Sequence, residues 1–471
     1  MKAVAQQPFS GRLLMIGYGS IGRGVLPLLL RHIALEPARV CIICPSPAAR
    51  EAAREYGVQV QEEALTEENF HQCLEPWLQP GDFLLNLSVQ VSSQALLAFC
   101  QARQVLYLDT CTEPWVGGYD SDELQPQERT NYALRHALLA LRGSTDTATA
   151  IITHGANPGL VSHLVKQALE NIARDLGQTR PSPTRREEWA QLARSLGVKV
   201  IHIAEYDSQY AERRKEPGEF VNTWSVEGFI AEARQPAELG WGSHERGLPP
   251  DARRHPYGSH AAIYLQRPGA ATPVHTWTPG VGPTLGFLVT HSEAISIAQY
   301  LTVGEGPHPV YRPTVHYAYR PCDDALLSLH ELASRHWRPQ PRQRLLDDDI
   351  VGGRDELGVL LMGHARNAYW YGSRLAIEEA RALCPHNSAT SLQVTAGVMA
   401  GVIWSLRNPQ RGILEPDELP HREILDLCAP YLGKLEGFYS DWTPLAQRPP
   451  LFPEPGLCED DPWQFRNFRG G

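Results

Sequence analysis

Short, wholly apolar runs separated by amphipathic stretches alternate through the first third of the chain. Arg12-Leu-Leu-Met-Ile16 reads as a buried strand, and Val25–His32 as an apolar helix. Arg39–Cys44, Gly57–Gln61, Asp82–Leu87, Val105–Asp109 and Thr149–Thr153 read as further strands. Helical stretches fall between them at Pro45–Tyr56, Glu67–Leu78, through Gln101, and at Tyr132–Leu141. This alternation predicts an α/β fold, with a Rossmann-like, doubly wound parallel sheet over residues 1–150. Residues 151–471 read as a larger α+β domain. It begins with the helix Val161–Leu176, whose Leu164, Val165, Ala168, Leu169 and Ile172 make one apolar face. A polar, Pro-containing linker follows at Gln178–Arg186, then a strand at Val198–Ala204 and a turn at Pro217-Gly218. Asp347–Asp349 with Gly352-Gly353 reads as an acidic hairpin returning through Arg354-Asp355-Glu356. The Ala/Gly-rich helix Ser391–Leu406 is built for close packing and is expected to return to the first domain. The Pro-rich stretch 446–471 reads as an extended tail able to wrap a neighbour.

Composition narrows the class. The chain has 471 residues, room for several domains, with 42% hydrophobic and 20% charged residues, as in an ordinary globular protein. No uninterrupted apolar run reaches the roughly 18 residues of a membrane span, and the N-terminus lacks a signal-peptide pattern. The net charge of −10 disfavours nucleic acid and anionic membrane as partners. The nine cysteines are an odd number without a paired CxxC pattern, so reduced thiols and a cytoplasmic location are expected. Cys41 and Cys44 fall on opposite faces of one strand and cannot share a metal. The histidines from His244 to His275 lack ligand spacing, so no metal site is expected.

The first chemistry lies between the first strand and its helix. Gly17-Tyr18-Gly19-Ser20-Ile21-Gly22 is a dinucleotide fingerprint in its required context. Its glycines serve a tight turn, close approach of a pyrophosphate to the backbone, and close helix packing. The acid that commonly ends the second strand and holds a ribose is missing; the stretch reads Cys44-Pro-Ser46. Ser46 could bond a ribose and Arg50 could favour a 2′-phosphate, so spacing leaves NAD and NADP both open.

Ligands of such sheets bind beyond the carboxyl ends of the strands. Three of these ends are polar: Asn86-Leu-Ser88-Val-Gln90, Asp109-Thr110-Cys-Thr-Glu113, and Thr153-His-Gly-Ala-Asn157-Pro-Gly159. Asn86 and Ser88 are equally suited to capping a helix. Farther on, Glu205-Tyr-Asp207 and Phe220-Val-Asn-Thr-Trp224-Ser-Val-Glu227-Gly-Phe-Ile-Ala-Glu232 gather carboxylates around an indole, a combination suited to a cation. The same residues also suit a core Trp beside a solvated acidic face. His291, at the start of the helix Glu293–Leu301, is either structural or a proton shuttle titrating near neutrality.

Taken in order, these motifs resemble the bacterial homospermidine synthases, distant relatives of saccharopine dehydrogenase. The likeness rests on Gly17–Gly22, Asn86-Leu-Ser-Val, Asp109-Thr-Cys-Thr-Glu-Pro-Trp115, His154-Gly-Ala-Asn-Pro-Gly159, Glu205-Tyr-Asp-Ser-Gln209, Glu219–Glu227 and Thr290-His-Ser-Glu-Ala294. It implies a homodimer whose residues 151–471 bind substrate and dimerise, with NAD as a prosthetic group. It also implies a hydride cycle on putrescine and related diamines. One diamine is oxidised to an imine, a second displaces ammonia, and the stored hydride reduces the new bond to give homospermidine. Residue by residue, the likeness puts Trp224 against the ammonium or iminium. Glu205 and Glu232 hold amino groups, Glu113 stands near the entrance, and Asn157 and His291 line the reaction centre. Gln90 stands where the family has Asp. The implied cofactor contacts are Gly17 to Gly22, Ser46, Asn86, Ser88, Asp109, Thr110 and Asn157. The competing readings are a saccharopine dehydrogenase-like NAD(P) oxidoreductase acting on a secondary amine, and a non-catalytic nucleotide-binding module. The oxidoreductase would need Arg or Lys for substrate carboxylates.

Overall fold

The computed structural model describes residues 6–119, 124–143, 146–178, 181–446, 448 and 456–470. The strands Leu13–Ile16, Val40–Ile43, Gln59–Gln61, Phe83–Asn86, Leu106–Asp109 and Ala150–Ile151 lie in one parallel sheet. Numbered along the chain, their spatial order is 3-2-1-4-5-6, the order in which ligands bind where the winding reverses, between strands 1 and 4. Leu13–Ile16, Val40–Ile43 and Ala150–Ile151 are apolar at every position because helices cover both faces. Alternate side chains enter different cores, with Leu13 and Met15 on one face and Leu14 and Ile16 on the other. Cys41 and Cys44 part in the same way and are buried.

A seventh strand, Ile413–Leu414, pairs with Ala150–Ile151 and comes from near the end of the chain. The helix that precedes it, Ala389–Arg407, meets the length and hydropathy of a membrane span but is buried along nearly its whole length. It packs along the fingerprint helix Ser20–His32. Its glycines let it close on the sheet edge as well: a Cβ on Gly397 would meet the Gly155 carbonyl, and one on Gly401 would lie 2.6 Å from Leu108. The first sheet and its covering helices are thus completed by residues some 240 positions farther on in the chain.

The second sheet is mixed and ten-stranded. At its centre Val200–Asp207 runs parallel to Thr314–Arg320 on one side and antiparallel to Arg354–His364 on the other. Two expectations are corrected here, and one helix is added: the polar stretch after Gly177 is followed by a helix at Arg186–Leu196, whose Trp189, Leu192 and Leu196 join the core. The acidic hairpin does not form. Arg342–Leu345 pairs in parallel with Glu219–Asn222, Ile350–Gly352 pairs with Tyr210–Ala211, and Asp355 enters the central sheet. The described end of the tail, 456–470, does not extend away. It buries Trp463, Phe465 and Phe468 against its own sheet, because three aromatics so closely spaced gain more by burial than by exposure. Arg469 then fastens the end to Asp251 through two contacts of 2.9 Å.

Candidate active site

Two cavities meet where the sheets face each other. The outer one, about 660 Å³, crosses the carboxyl edge of the parallel sheet. Gly17–Ile21, Cys44-Pro45, Glu63–Leu65, Leu87–Val91 and Ser225–Glu227 form its walls. Each glycine has its own task. Gly17 has φ +87°, and a Cβ there would lie 2.7 Å from the Leu87 carbonyl. A Cβ on Gly22 would press on the Gly17 carbonyl at 2.7 Å, whereas Gly19 faces open space. The helix Ser20–His32 carries no acid in its first turn and no side-chain cap. Its first N–H groups, which have no partner within the helix, are therefore suited to an anion.

The inner cavity, about 120 Å³, shares Ile21, Leu87, Ser88, Val89 and Ser225 with the groove. It brings together Asn157, Glu205, Trp224, Glu232, His291, Glu113 and Thr110, from distant parts of the chain. The Ser225 hydroxyl accepts a bond from Gly228 N at 3.1 Å, starting the helix Val226–Arg234 immediately after the indole. Trp224 Nε1 donates to the Tyr319 hydroxyl at 3.1 Å, and the indole ring packs on Phe229. Glu205 accepts from Asn157 Nδ2 at 2.8 Å and from the Tyr317 hydroxyl. Among the lining residues there is no Arg or Lys.

Burial raises the carboxylates. It pushes Glu205 up to about 7, opposed by the Tyr317 bond and assisted by the Asp207 charge. It pushes Glu113 up to about 8, opposed by a bond from Gln90 N at 3.0 Å and assisted by Glu232. Asp355, cross-strand partner of Asp207, lies well above the usual carboxylate range through burial and then the Glu205 and Asp207 charges.

The structure departs from several sequence expectations. Burial alone would lower His291, but carboxylates at both ring nitrogens override it and raise it well above its usual value. Its Nε2 lies 3.0 Å from Glu232 and its Nδ1 3.2 Å from Glu293. The ring is thus a clamped imidazolium, not a shuttle titrating near neutrality. Glu113 is buried in the wall rather than standing at an entrance. Gln90 does not reach the inner cavity; it lines the groove and a neighbouring outer pocket. Asn86, Asp109 and Ser46 line neither cavity. Asn86 shapes the loop by accepting from the Ser88 hydroxyl at 2.6 Å. Asp109 is fully buried, taking the Thr153 N–H at 2.5 Å and the Tyr107 hydroxyl at 2.6 Å. Ser46 is exposed at the start of the helix Pro47–Ala53. Sequence reasoning missed Tyr317, Glu293 and Asp355. Glu293 stands inside the Thr290–Ala294 motif, whereas Tyr317 lies on the strand Thr314–Arg320, unassigned from sequence alone.

Residues 13–152 match the family described as saccharopine dehydrogenase NADP binding domain, and residues 155–439 the saccharopine dehydrogenase C-terminal domain. A homospermidine synthase of Blastochloris viridis is 53% identical over 463 residues, covering 97% of each chain. One of Mesorhizobium japonicum is 50% identical over 467 residues, 98% of this chain and 96% of that one. The crystal structure of the homospermidine synthase from Legionella pneumophila in complex with NAD superposes with a TM-score of 0.92 at 47% identity, covering 99% of both chains. An apo saccharopine dehydrogenase from Saccharomyces cerevisiae, 13% identical with a TM-score of 0.50, shares the fold. With such likeness along its whole length, the chain belongs to the homospermidine synthase family of saccharopine dehydrogenase-like enzymes.

Proposed function

We propose that the inner cavity joins two putrescine molecules into homospermidine with release of ammonia, and that the outer groove holds NAD. The observation that carries this reading is a small chamber with three carboxylates, an indole and no Arg or Lys, opening onto a dinucleotide groove. When bound, NAD supplies reversible hydride acceptance. The chain's own residues then position cations. Trp224 offers its ring to an ammonium or iminium. Glu205, oriented by Asn157 and Tyr317, accepts hydrogen bonds from one amino group, and Glu232, fixed by the His291 imidazolium, from another. Glu113 adds charge in the wall, and Gln90 acts outside it. Residues 1–150 chiefly serve the nucleotide and 151–471 the substrate, with Thr110 and Glu113 lent to the chamber and Ser225–Glu227 to the groove. From the family likeness, the assembly proposed with this reading is a homodimer. Among the described residues of the inner cavity, an oxidoreductase acting on an amino acid finds no cationic partner for a carboxylate other than a His already held by two acids. The direct test incubates purified protein with NAD and putrescine. Homospermidine and ammonia should form without accumulation of NADH, and absence of the polyamine by mass spectrometry would remove the proposal.

Two further outcomes follow from the geometry. Gly19→Val should fold normally, since a Cβ there meets nothing within 4 Å, yet weaken NAD binding at least about tenfold by calorimetry. The second concerns pH. Glu113 titrates near 4.5 when free and at about 8 when folded, so the folded protein binds the extra proton between those values. Its stabilising contribution is complete below about 4.5 and is lost as pH rises towards about 8. The diamine-free melting temperature should therefore fall across that window, and putrescine should offset the fall. Because ammonium groups favour ionised Glu205 and Glu113, putrescine binding near pH 7 should release protons. Calorimetry in buffers of different ionisation enthalpy reads this directly, and no buffer dependence would refute it.

A further inference from the structure

The missing acid at the end of the second strand has a structural replacement. Gln59–Gln61 runs parallel beside Val40–Ile43, with Ile43 opposite Gln61 and Cys44 N donating to the Gln61 carbonyl at 3.1 Å. The chain leaving this third strand therefore emerges at the same carboxyl edge. There Glu63, Ala64 and Leu65 face Cys44 and Pro45 along the groove. Asn69 organises the turn that carries them. Its Oδ1 accepts the Thr66 N–H at 2.8 Å, while its Nδ2 donates to the Ala64 carbonyl at 2.9 Å and to Glu63 Oε1 at 3.2 Å. Glu63 is exposed, lines the groove, and among the described residues makes no Arg or Lys contact, Asn69 occupying only its Oε1.

The surrounding charge points the same way. Among the described residues, the groove lining contains two charged side chains, Glu63 and Glu227, and no Arg or Lys. Arg50, the one cation near the second strand that the sequence offers to a 2′-phosphate, is paired with Glu62 at 2.9 Å. A phosphate monoester carrying nearly two negative charges would meet a carboxylate where it needs a guanidinium. A ribose diol, by contrast, has two hydroxyl donors for that carboxylate.

We propose that Glu63 is the residue that binds the adenosine ribose, accepting hydrogen bonds from its 2′- and 3′-hydroxyls, and that Glu63 together with the Glu62–Arg50 pair excludes a 2′-phosphate. The acid reaches the ribose from the third strand rather than the second. This deepens the NAD reading of the groove and rests on it.

The test is equilibrium binding to the full-length, nucleotide-free protein, with ADP-ribose and 2′-phospho-ADP-ribose as probes and no turnover required. The wild-type protein should prefer ADP-ribose by at least about tenfold, the discrimination expected of hydrogen bonds to a charged group. Glu63→Gln should shrink that preference by about tenfold or more, weakening ADP-ribose and strengthening the phosphorylated probe. Glu62→Gln, which frees Arg50, should strengthen the phosphorylated probe and leave ADP-ribose little changed. Glu63 lies on an exposed turn, so circular dichroism and the unfolding midpoint should match wild type. Should both Glu63→Gln and Glu63→Ala keep the wild-type ratio, the assignment to Glu63 is overturned while NAD in the groove stands. Should the wild-type protein bind neither probe, the nucleotide reading itself falls, and this inference with it. A wild-type preference for the phosphorylated probe overturns the proposal outright.

Discussion

Trp224→Ala is expected to abolish most homospermidine formation, lowering turnover by about thirtyfold or more, while Trp224→Phe keeps a substantial part of it. A desolvated cation over an aromatic face is stabilised by about 2 kcal/mol or more, and each 1.36 kcal/mol is about a factor of ten in rate. Phenylalanine preserves a ring face but loses the bond from Nε1 to the Tyr319 hydroxyl, so a partial loss is expected from it as well. The indole is half-buried and packs on Phe229, so the alanine variant will also lose stability. Activity should therefore be read below the lowered midpoint, with NAD binding measured beside it. Retained NAD binding with lost turnover places the defect in the inner cavity. Equal activity in the two variants would mean that the ring serves only for packing.

Glu205→Gln should cost more, about a hundredfold or greater in turnover, with NAD binding unchanged. The carboxylate lies at the junction of Asn157, Tyr317 and the buried Asp207 and Asp355, and it titrates at about 7. It is therefore poised to hold or release a proton at working pH. The amide keeps the size and one acceptor but can neither carry the charge nor exchange the proton. The arm of the pH–rate profile governed by this group should vanish in the variant. Glu227→Gln is the control, because Glu227 is exposed and lines the outer groove, not the inner cavity. A smaller loss is expected there, read in NAD binding and not in turnover at saturating NAD. Comparable losses in the two variants would show that net negative charge matters, and not the place of Glu205.

How much of this was legible in the chain differs from element to element. The fingerprint could be read because its function is local. Gly17, Gly19 and Gly22 act through backbone conformation and close approach within one turn, and the flanking strand and helix are buried enough to declare themselves. Trp224 and Glu232 could be read because they stand in one short segment. Asp109 misled because a polar strand end looks the same whether it meets a ligand or a neighbouring strand; here it meets Thr153 and Tyr107. The tail misled because its prolines signal extension, while Trp463, Phe465 and Phe468 find a core only in three dimensions.

The amino-acid sequence by itself determined the alternation of strands and helices over the first 150 residues, the nucleotide fingerprint and the acidic, aromatic character of the segment around Trp224. These follow from periodicity, glycine stereochemistry and side-chain charge, which act over a few residues. Only the tertiary structure decided that Glu205, Asn157 and Tyr317 share hydrogen bonds and that His291 is held as a cation between two acids. It also decided that the acid lining the groove with Cys44 and Pro45 is Glu63, which follows the third strand. The reason is physical: hydrogen bonding and desolvation depend on distances of a few ångströms between groups far apart in the chain, and nothing in their spacing along the sequence encodes those distances.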